Sequence, residues 1–93
     1  MYAVIRRYTG ASQLFDELAR RRSDVEQLLR SVPGFRGYYL VRSGEGGASI
    51  TLCDDQAGTS ESTRIAAEWV RQNVPAAAGS PPQVTEGEVL YNF

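Results

Sequence analysis

The chain has 93 residues, a hydrophobic fraction of 42% and a net charge of −1, values typical of one soluble globular domain over residues 1–93. All 10 basic residues are arginine, and the chain contains neither lysine nor histidine. Schiff-base lysine chemistry, histidine-based nucleophilic catalysis and histidine-ligated zinc or haem are therefore excluded. Because there is no basic excess, nucleic acid is not an expected partner.

The cysteine count and the N-terminal residues bear on the cellular compartment. A single cysteine cannot form an intramolecular disulfide, and Cys53, at the end of a strand pattern, is predicted to be a buried and inert thiol. The first residues lack the apolar run and cleavage site of a signal peptide. No apolar stretch approaches the roughly 20 residues that span a bilayer. We therefore expect a cytoplasmic protein that does not associate with membranes.

The first half of the chain predicts a strand, a helix and a second strand. Residues 2–8 carry apolar side chains on both faces of a strand. One long helical pattern begins at residue 11 or 12, continues to Val32, and is ended by a proline and a glycine. Residues 35–42 then predict a strand. One face of that strand is predicted to carry Phe35, Gly37, Tyr39 and Val41.

The second half predicts the order strand, helix, strand. A glycine-rich turn over residues 44–47 leads into a strand over residues 48–54, which makes a hairpin with the strand before it. Thr59 or Ser60 is predicted to cap the second helix, which Pro75 ends. A short connection over residues 75–82 and a final strand over residues 84–91 follow.

The resulting order β-α-β-β-α-β predicts a ferredoxin-like α+β fold. In this fold a four-stranded antiparallel sheet carries both helices on one face. Both faces of the first two predicted strands are rich in tyrosine, valine, isoleucine and leucine, so a monomer would expose a large apolar patch on the uncovered face. We therefore expect a homodimer that forms through the sheet.

Three segments resemble the antibiotic biosynthesis monooxygenase-like family, namely residues 32–40, 53–58 and 62–70. The resemblance implies a dimeric α+β barrel with a cavity between sheet and helices in each subunit. Characterised members oxidise aromatic, polyketide-like substrates with dioxygen and without metal, flavin or haem, so no cofactor is implied here. Relatives degrade haem with an asparagine, a tryptophan and a histidine. The family's helix tryptophan matches Trp69, but the asparagine one turn earlier is replaced by Ile65.

The candidate ligand-binding residues are Trp69, Asn73, Tyr39, Arg22 and Phe35. Trp69 lies on an apolar helix face, where it is either a core residue or a ligand contact. Asn73 either caps the helix end or donates a hydrogen bond into the cavity. Arg21 and Arg22 interrupt the apolar stripe of the first helix, so each either extends over the core edge or points into a pocket. Tyr39 and Phe35 are packing aromatics beside Gly37, where the missing side chain leaves room for a ligand. No catalytic residue is identified.

Two functions fit this sequence. The first is an enzyme that oxidises or isomerises a phenolic or enolisable substrate without a cofactor and holds an enolate with hydrogen-bond donors. The second is a non-catalytic ligand-binding or interaction dimer. A closed, polar-lined cavity favours the enzyme, whereas a collapsed core filled with aromatic side chains favours the second function.

Two other families share the predicted topology. RNA-recognition domains need aromatic residues on the central strands and a basic surround, which this chain lacks. Regulatory amino-acid-binding domains place a glycine after the first strand, as Gly10 is placed here, but they are usually appended to an enzyme.

Overall fold

The computed structural model describes residues 1–77 and 80–93, and within them the chain forms four strands and three α-helices. Their bounds are β1 (Tyr2–Tyr8), α1 (Ser12–Arg20), α2 (Arg22–Arg30), β2 (Phe35–Ser43), β3 (Gly46–Cys53), α3 (Gln56–Asn73) and β4 (Gln83–Glu88). A short 3-10 helix, Pro75–Ala77, follows α3 as the first part of the predicted connection. Residues 78 and 79 of that connection lie outside the described residues.

The strands form one antiparallel sheet in the order β2-β3-β1-β4. Side-chain contacts place the helices on the same side of this sheet: Tyr8 of β1 packs edge-on against Phe15 of α1, and Arg6 reaches Ser62 of α3. The predicted ferredoxin-like α+β fold, with its helices on one face, is confirmed.

The first predicted helix is two helices rather than one. Arg21 interrupts it with φ −109° and ψ 44°, which lie outside the helical region. The Arg21 side chain lies 3.1 Å from a Glu17 carboxylate oxygen and donates a hydrogen bond to Oδ1 of Asn73. The break therefore occurs where the chain contacts the end of α3. The spacing of leucine and valine residues, from which one long helix was predicted, carries no information about this tertiary contact.

The α3 helix begins earlier than predicted. Asp55, rather than Thr59 or Ser60, is its cap, and the Asp55 carboxylate accepts a hydrogen bond of 3.2 Å from the backbone N–H of Gly58. A Cβ at Gly58 would lie 2.8 Å from both Cys53 Cβ and the carbonyl oxygen of Pro33, so only glycine allows this close approach. As predicted, the helix ends before Pro75: Asn73 is its last residue and Val74 is its C-cap.

A β-bulge reverses the face assignment at the start of β2. Phe35 pairs with Cys53 and Gly37 pairs with Leu52, so Arg36 is an extra residue. Phe35 therefore faces the helices, whereas Gly37 and Tyr39 point away from them. The prediction that Phe35 shares a face with Tyr39 is wrong, although Gly37 did indicate a bulge or a close approach. At the other end of the chain, β4 ends at Glu88 rather than at residue 91.

The core lies between the helices and the inner face of the sheet. Its buried apolar residues are Val4, Leu14, Phe15, Leu29, Val32, Cys53 and Val74. The burial predicted for Cys53 is confirmed. On β3 the polar Ser49 and Thr51 face the helices and are buried, whereas Ile50 and Leu52 face the uncovered side. The outer face is therefore the more apolar side of this strand.

Candidate functional site

A cleft of about 440 Å³ opens between α1, α2 and β2. Its volume falls within the range of small-molecule sites, which is about 300–1,000 Å³. Leu18 and Val25 provide apolar walls from the helices, and Phe35, Tyr38 and Leu40 provide the opposite wall from the strand. Four arginine and glutamate side chains line the cleft as well, namely Arg22, Glu26, Arg30 and Arg36.

A smaller cavity of about 30 Å³ lies deeper, between the helices and the centre of the sheet. It has room for a single water-sized group. Arg6, Tyr8 and Ser49 line it from the sheet, and Trp69 lines it from α3. The cleft and the deeper cavity are contiguous, because both are bounded by the same four side chains, Leu18, Val25, Leu29 and Tyr38.

Arg6 is the charged group of this deeper cavity, and it is only 2% exposed. Its Nη1 donates to the hydroxyl oxygens of Ser49 and Thr51 at 3.2 Å each. Its Nη2 donates to Ser62 at 2.8 Å and to Thr63 at 3.1 Å. All four acceptors are neutral hydroxyls, and Arg6 Nε has no hydrogen-bond partner within the described residues.

The surroundings of Arg6 disfavour its charge. Burial lowers the pKa of Arg6, and the nearby Tyr8, Tyr38, Cys53 and Glu86 oppose this shift. An arginine side chain nevertheless stays protonated in proteins. The Glu86 carboxylate accepts a 2.6 Å hydrogen bond from Thr59 and makes none with Arg6. The cation is therefore solvated by hydroxyls and not neutralised by an adjacent carboxylate.

Two phenols share the cavity with Arg6. Burial raises the pKa of both Tyr8 and Tyr38, and the charge of Arg6 opposes the shift in each case. Both phenols are therefore protonated at neutral pH, where they serve as hydrogen-bond donors rather than as bases.

Trp69 is half-buried and lies beneath an arginine. The guanidinium carbon of Arg21 is 5.9 Å from the centre of its ring, within the range of a cation–π contact. Asn73 joins these two residues: its Nδ2 donates to the Trp69 carbonyl at 2.9 Å, and its Oδ1 accepts from Arg21 at 2.7 Å. The amide of Asn73 thus binds within the protein at the end of α3, as in the capping alternative.

The structure brings together three of the five candidate site residues. Trp69 lines the deeper cavity, and Arg22 and Phe35 line the cleft that leads to it. Asn73 borders neither space, and Tyr39 lies on the opposite face of the sheet, 60% exposed. Because the bulge moves Tyr39 to the other face of the sheet, Tyr39 does not share a cavity with Trp69.

Sequence reasoning missed Arg6 and Tyr38, whereas it did single out Arg21 as an arginine that either extends over the core edge or points into a pocket. A signal existed for Arg6, since it is a charged residue on the same face of its strand as Val4 and Tyr8.

Within residues 1–77 and 80–93, no group of three or more acidic or cysteine side chains is placed to hold a metal ion. In the same residues, no helix is long and apolar enough to cross a membrane.

Solved structures with the same fold include proteins of several functions. A protein of unknown function from Nitrosomonas europaea, NE2512, is 20% identical and aligns over 99% of this chain and 91% of its own, with a TM-score of 0.75. The haem degrader MhuD from Mycobacterium tuberculosis, with two haems bound in its active site, is 18% identical over 100% and 99% of the two chains, with a TM-score of 0.62.

A third structure is the monooxygenase from the gene ActVA-Orf6 of Streptomyces coelicolor in complex with nanaomycin D. It is 14% identical over 98% of this chain and 92% of its own, with a TM-score of 0.61. No protein-family model matches the sequence, and no curated protein matches it. At these identities the structural likeness establishes the fold, which is antibiotic biosynthesis monooxygenase-like, as the resemblance predicted.

Proposed function

We propose that this chain, with its antibiotic biosynthesis monooxygenase-like fold, is a homodimeric protein that binds a small aromatic molecule in the cleft between α1, α2 and β2. The observation that carries the proposal is the cleft itself, which adjoins the cavity beside Trp69. Its apolar walls suit a ring system, and its arginines and Tyr38 suit oxygen substituents. The ligand-bound neighbours of the same fold support a small molecule as the ligand.

The proposed activity is a cofactor-independent monooxygenation of a phenolic or enolisable substrate. In such a reaction the substrate anion supplies the electrons and dioxygen is the oxidant. A methylene carbon loses both hydrogens and becomes a carbonyl, one oxygen atom enters the product, and the other leaves as water. The protein contributes a water-poor site and donors that stabilise the substrate anion. Arg6, Tyr38 and Trp69 are suitably placed for that role.

The alternative is a dimer that binds its ligand without catalysis. One observation favours it: the carboxylate at the cleft, Glu26, is already paired with Arg30 at 2.9 Å. Because Tyr8 and Tyr38 are protonated at neutral pH, no group in the site is an evident base. Catalysis therefore requires a substrate that loses its proton readily in water.

The homodimer is supported by the outer face of the sheet. One row of side chains across this face comprises Tyr39, Ile50 and Ile5 on β2, β3 and β1. On the same face, Tyr39 is 60% exposed and Val41 is 50% exposed. A second copy of the sheet presents a matching apolar surface to this row.

An oxygen-electrode assay with anthrone tests the enzyme against the binding protein. We expect dioxygen uptake above the protein-free rate, with one dioxygen consumed per anthraquinone formed and with a lower rate in the Trp69→Phe variant. Tyr91→Phe, an exposed aromatic, is the control and should retain the rate. A rise in melting temperature with anthrone or 1-naphthol but no uptake would favour the non-catalytic dimer. If no aromatic probe causes dioxygen uptake or raises the melting temperature, both the enzyme and the non-catalytic binding protein are ruled out.

A further inference from the structure

We infer that the ligand of the cleft is an organic anion whose negatively charged oxygen, a carboxylate or an ionised phenol or enol, is bound by Arg6 in the deeper cavity. The inference rests on the proposed function, because it assumes that the cleft is a binding site. It adds the charge of the ligand, the group that recognises it and the direction in which the ligand lies.

The first support is the incomplete coordination of Arg6. A buried charge is normally paired with an opposite charge, because water is no longer available to solvate it. Arg6 is 2% exposed and hydrogen-bonds only neutral hydroxyls. Its Nε–H has no hydrogen-bond partner within the described residues. The guanidinium thus retains both its full charge and an unused donor.

The second support is the position of the acidic side chains. Among the described residues no carboxylate hydrogen-bonds or ion-pairs with Arg6, and Glu86 instead accepts from Thr59. A hydroxyl shell positions a guanidinium without neutralising it, so the protein holds a cation ready for an anion that binds from outside. Charge-assisted bonds of this kind are stronger than bonds between neutral groups.

The third support is the shape of the approach. The deeper cavity of about 30 Å³ has room for one small oxygen-bearing group, whereas the cleft of about 440 Å³ has room for a ring system. Leu18, Val25, Leu29 and Tyr38 bound both spaces. A flat aromatic acid in the cleft is therefore separated from Arg6 by these shared side chains, and in the proposed complex its charged oxygen lies beside Tyr38 and reaches Arg6.

The charges of the cleft also favour an anion. Arg22 lines the cleft and makes no ion pair within residues 1–77 and 80–93. The other acidic and basic groups of the cleft are paired, with Arg30 on Glu26 and Arg36 on Asp54. Arg22 in the cleft and Arg6 in the deeper cavity, neither of which forms a salt bridge among the described residues, therefore both attract a negatively charged ligand.

Calorimetric titration with 2-naphthoate and with 2-naphthamide tests this inference, because the two probes share shape and differ in charge. We expect wild type to bind the carboxylate at least about tenfold more tightly than the amide. In Arg6→Met the carboxylate affinity should fall to that of the amide, while the amide affinity stays the same. Arg6→Lys should retain part of the preference, since it keeps the charge but fewer donors. Arg71→Met, which removes an exposed arginine from α3, is the matched control and should leave both affinities unchanged.

The possible results separate the two proposals. If both probes bind wild type equally, the cleft is a binding site but the anion inference is wrong. If neither probe binds, the proposed function fails and the inference fails with it. If Arg6→Met does not fold, the wild-type ratio and Arg6→Lys still decide the question. A preference that survives in folded Arg6→Met would show that another group binds the charge.

Discussion

Replacing Ile50 by glutamate should dissociate the proposed homodimer while leaving the fold intact. Ile50 lies at the centre of the uncovered sheet face, where its neighbours across the strands are Ile5 and Tyr39. Its side chain points away from the helices, so a glutamate there does not enter the core of the monomer. In a sheet-to-sheet dimer the same carboxylate is buried against apolar residues of the second copy.

The expected effect has an apolar part and an electrostatic part. Complete burial of one isoleucine side chain contributes about 1.5–3 kcal/mol, but Ile50 is already part-buried in the monomer, so a dimer covers at most about a third of it. Because a two-fold dimer contains the residue twice, the lost apolar burial is about 1–2 kcal/mol, and burying the two new carboxylates costs several kcal/mol more. Since about 1.4 kcal/mol corresponds to a factor of ten, the dissociation constant should rise by a factor of at least about 10².

Sedimentation velocity at micromolar concentration measures this change directly. Wild type should sediment at twice the chain mass of 10.2 kDa, and Ile50→Glu should sediment as a monomer with an unchanged circular dichroism spectrum. Gln72→Glu introduces the same charge at an exposed site on α3 and should remain dimeric. A wild-type monomer, or an Ile50→Glu dimer as stable as wild type, would refute the assignment of this face.

Four further predictions concern packing, reactivity and binding. Gly58→Ala should lower the free energy of unfolding by about 1–3 kcal/mol in chemical denaturation because of its close contacts, whereas Gly87→Ala, where a Cβ meets no atom within 4 Å, should not. The Cys53 thiol is 0% exposed, and burial and nearby carboxylates raise its pKa. It should therefore react with a colorimetric thiol reagent only after the protein unfolds. Rapid labelling of the native protein would contradict its burial. Arg22→Gln should weaken 2-naphthoate binding less than Arg6→Met does and should reduce its dependence on salt, as measured by titration at two ionic strengths. Haem mixed with the protein should separate from it on gel filtration because the chain has no histidine ligand, and a Soret band that stays with the protein at one haem per chain would disprove this.

The element order was predictable because the breaks between elements are chemically marked. Glycine and proline follow the first helical pattern, and glycines form the hairpin turn between β2 and β3. The missed features depend on tertiary contacts instead. Arg21 breaks the first helix where it meets Asn73, and Gly58 allows α3 to begin against Cys53. Neither contact changes the local pattern of apolar residues, so periodicity could not predict it.

The candidate site was predictable where helices determine it. Helical spacing correctly placed both Trp69 and Arg22 on the side of their helices that faces a cavity: Trp69 lines the deeper cavity, and Arg22 lines the cleft. Tyr39 was misplaced because one bulged residue in a strand exchanges the two faces beyond it, and Gly37 indicated either a bulge or a close approach without deciding between them. Arg6 was missed because an arginine in a strand is ordinarily exposed.

The two faces of β3 connect the proposed dimer with the proposed anion site. In a monomer whose sheet has one face covered by helices and the other face in water, β3 would be expected to turn Ile50 and Leu52 towards the helices and Ser49 and Thr51 towards water. This chain does the reverse, and each half of the reversal has a consequence. The apolar Ile50 and Leu52 favour cover on the outer face, which a second sheet would provide in the proposed homodimer. The polar half supplies the hydroxyls that hold a buried Arg6 between sheet and helices. If Ile50→Glu leaves a folded monomer that still prefers 2-naphthoate over 2-naphthamide, the two faces serve these two roles independently.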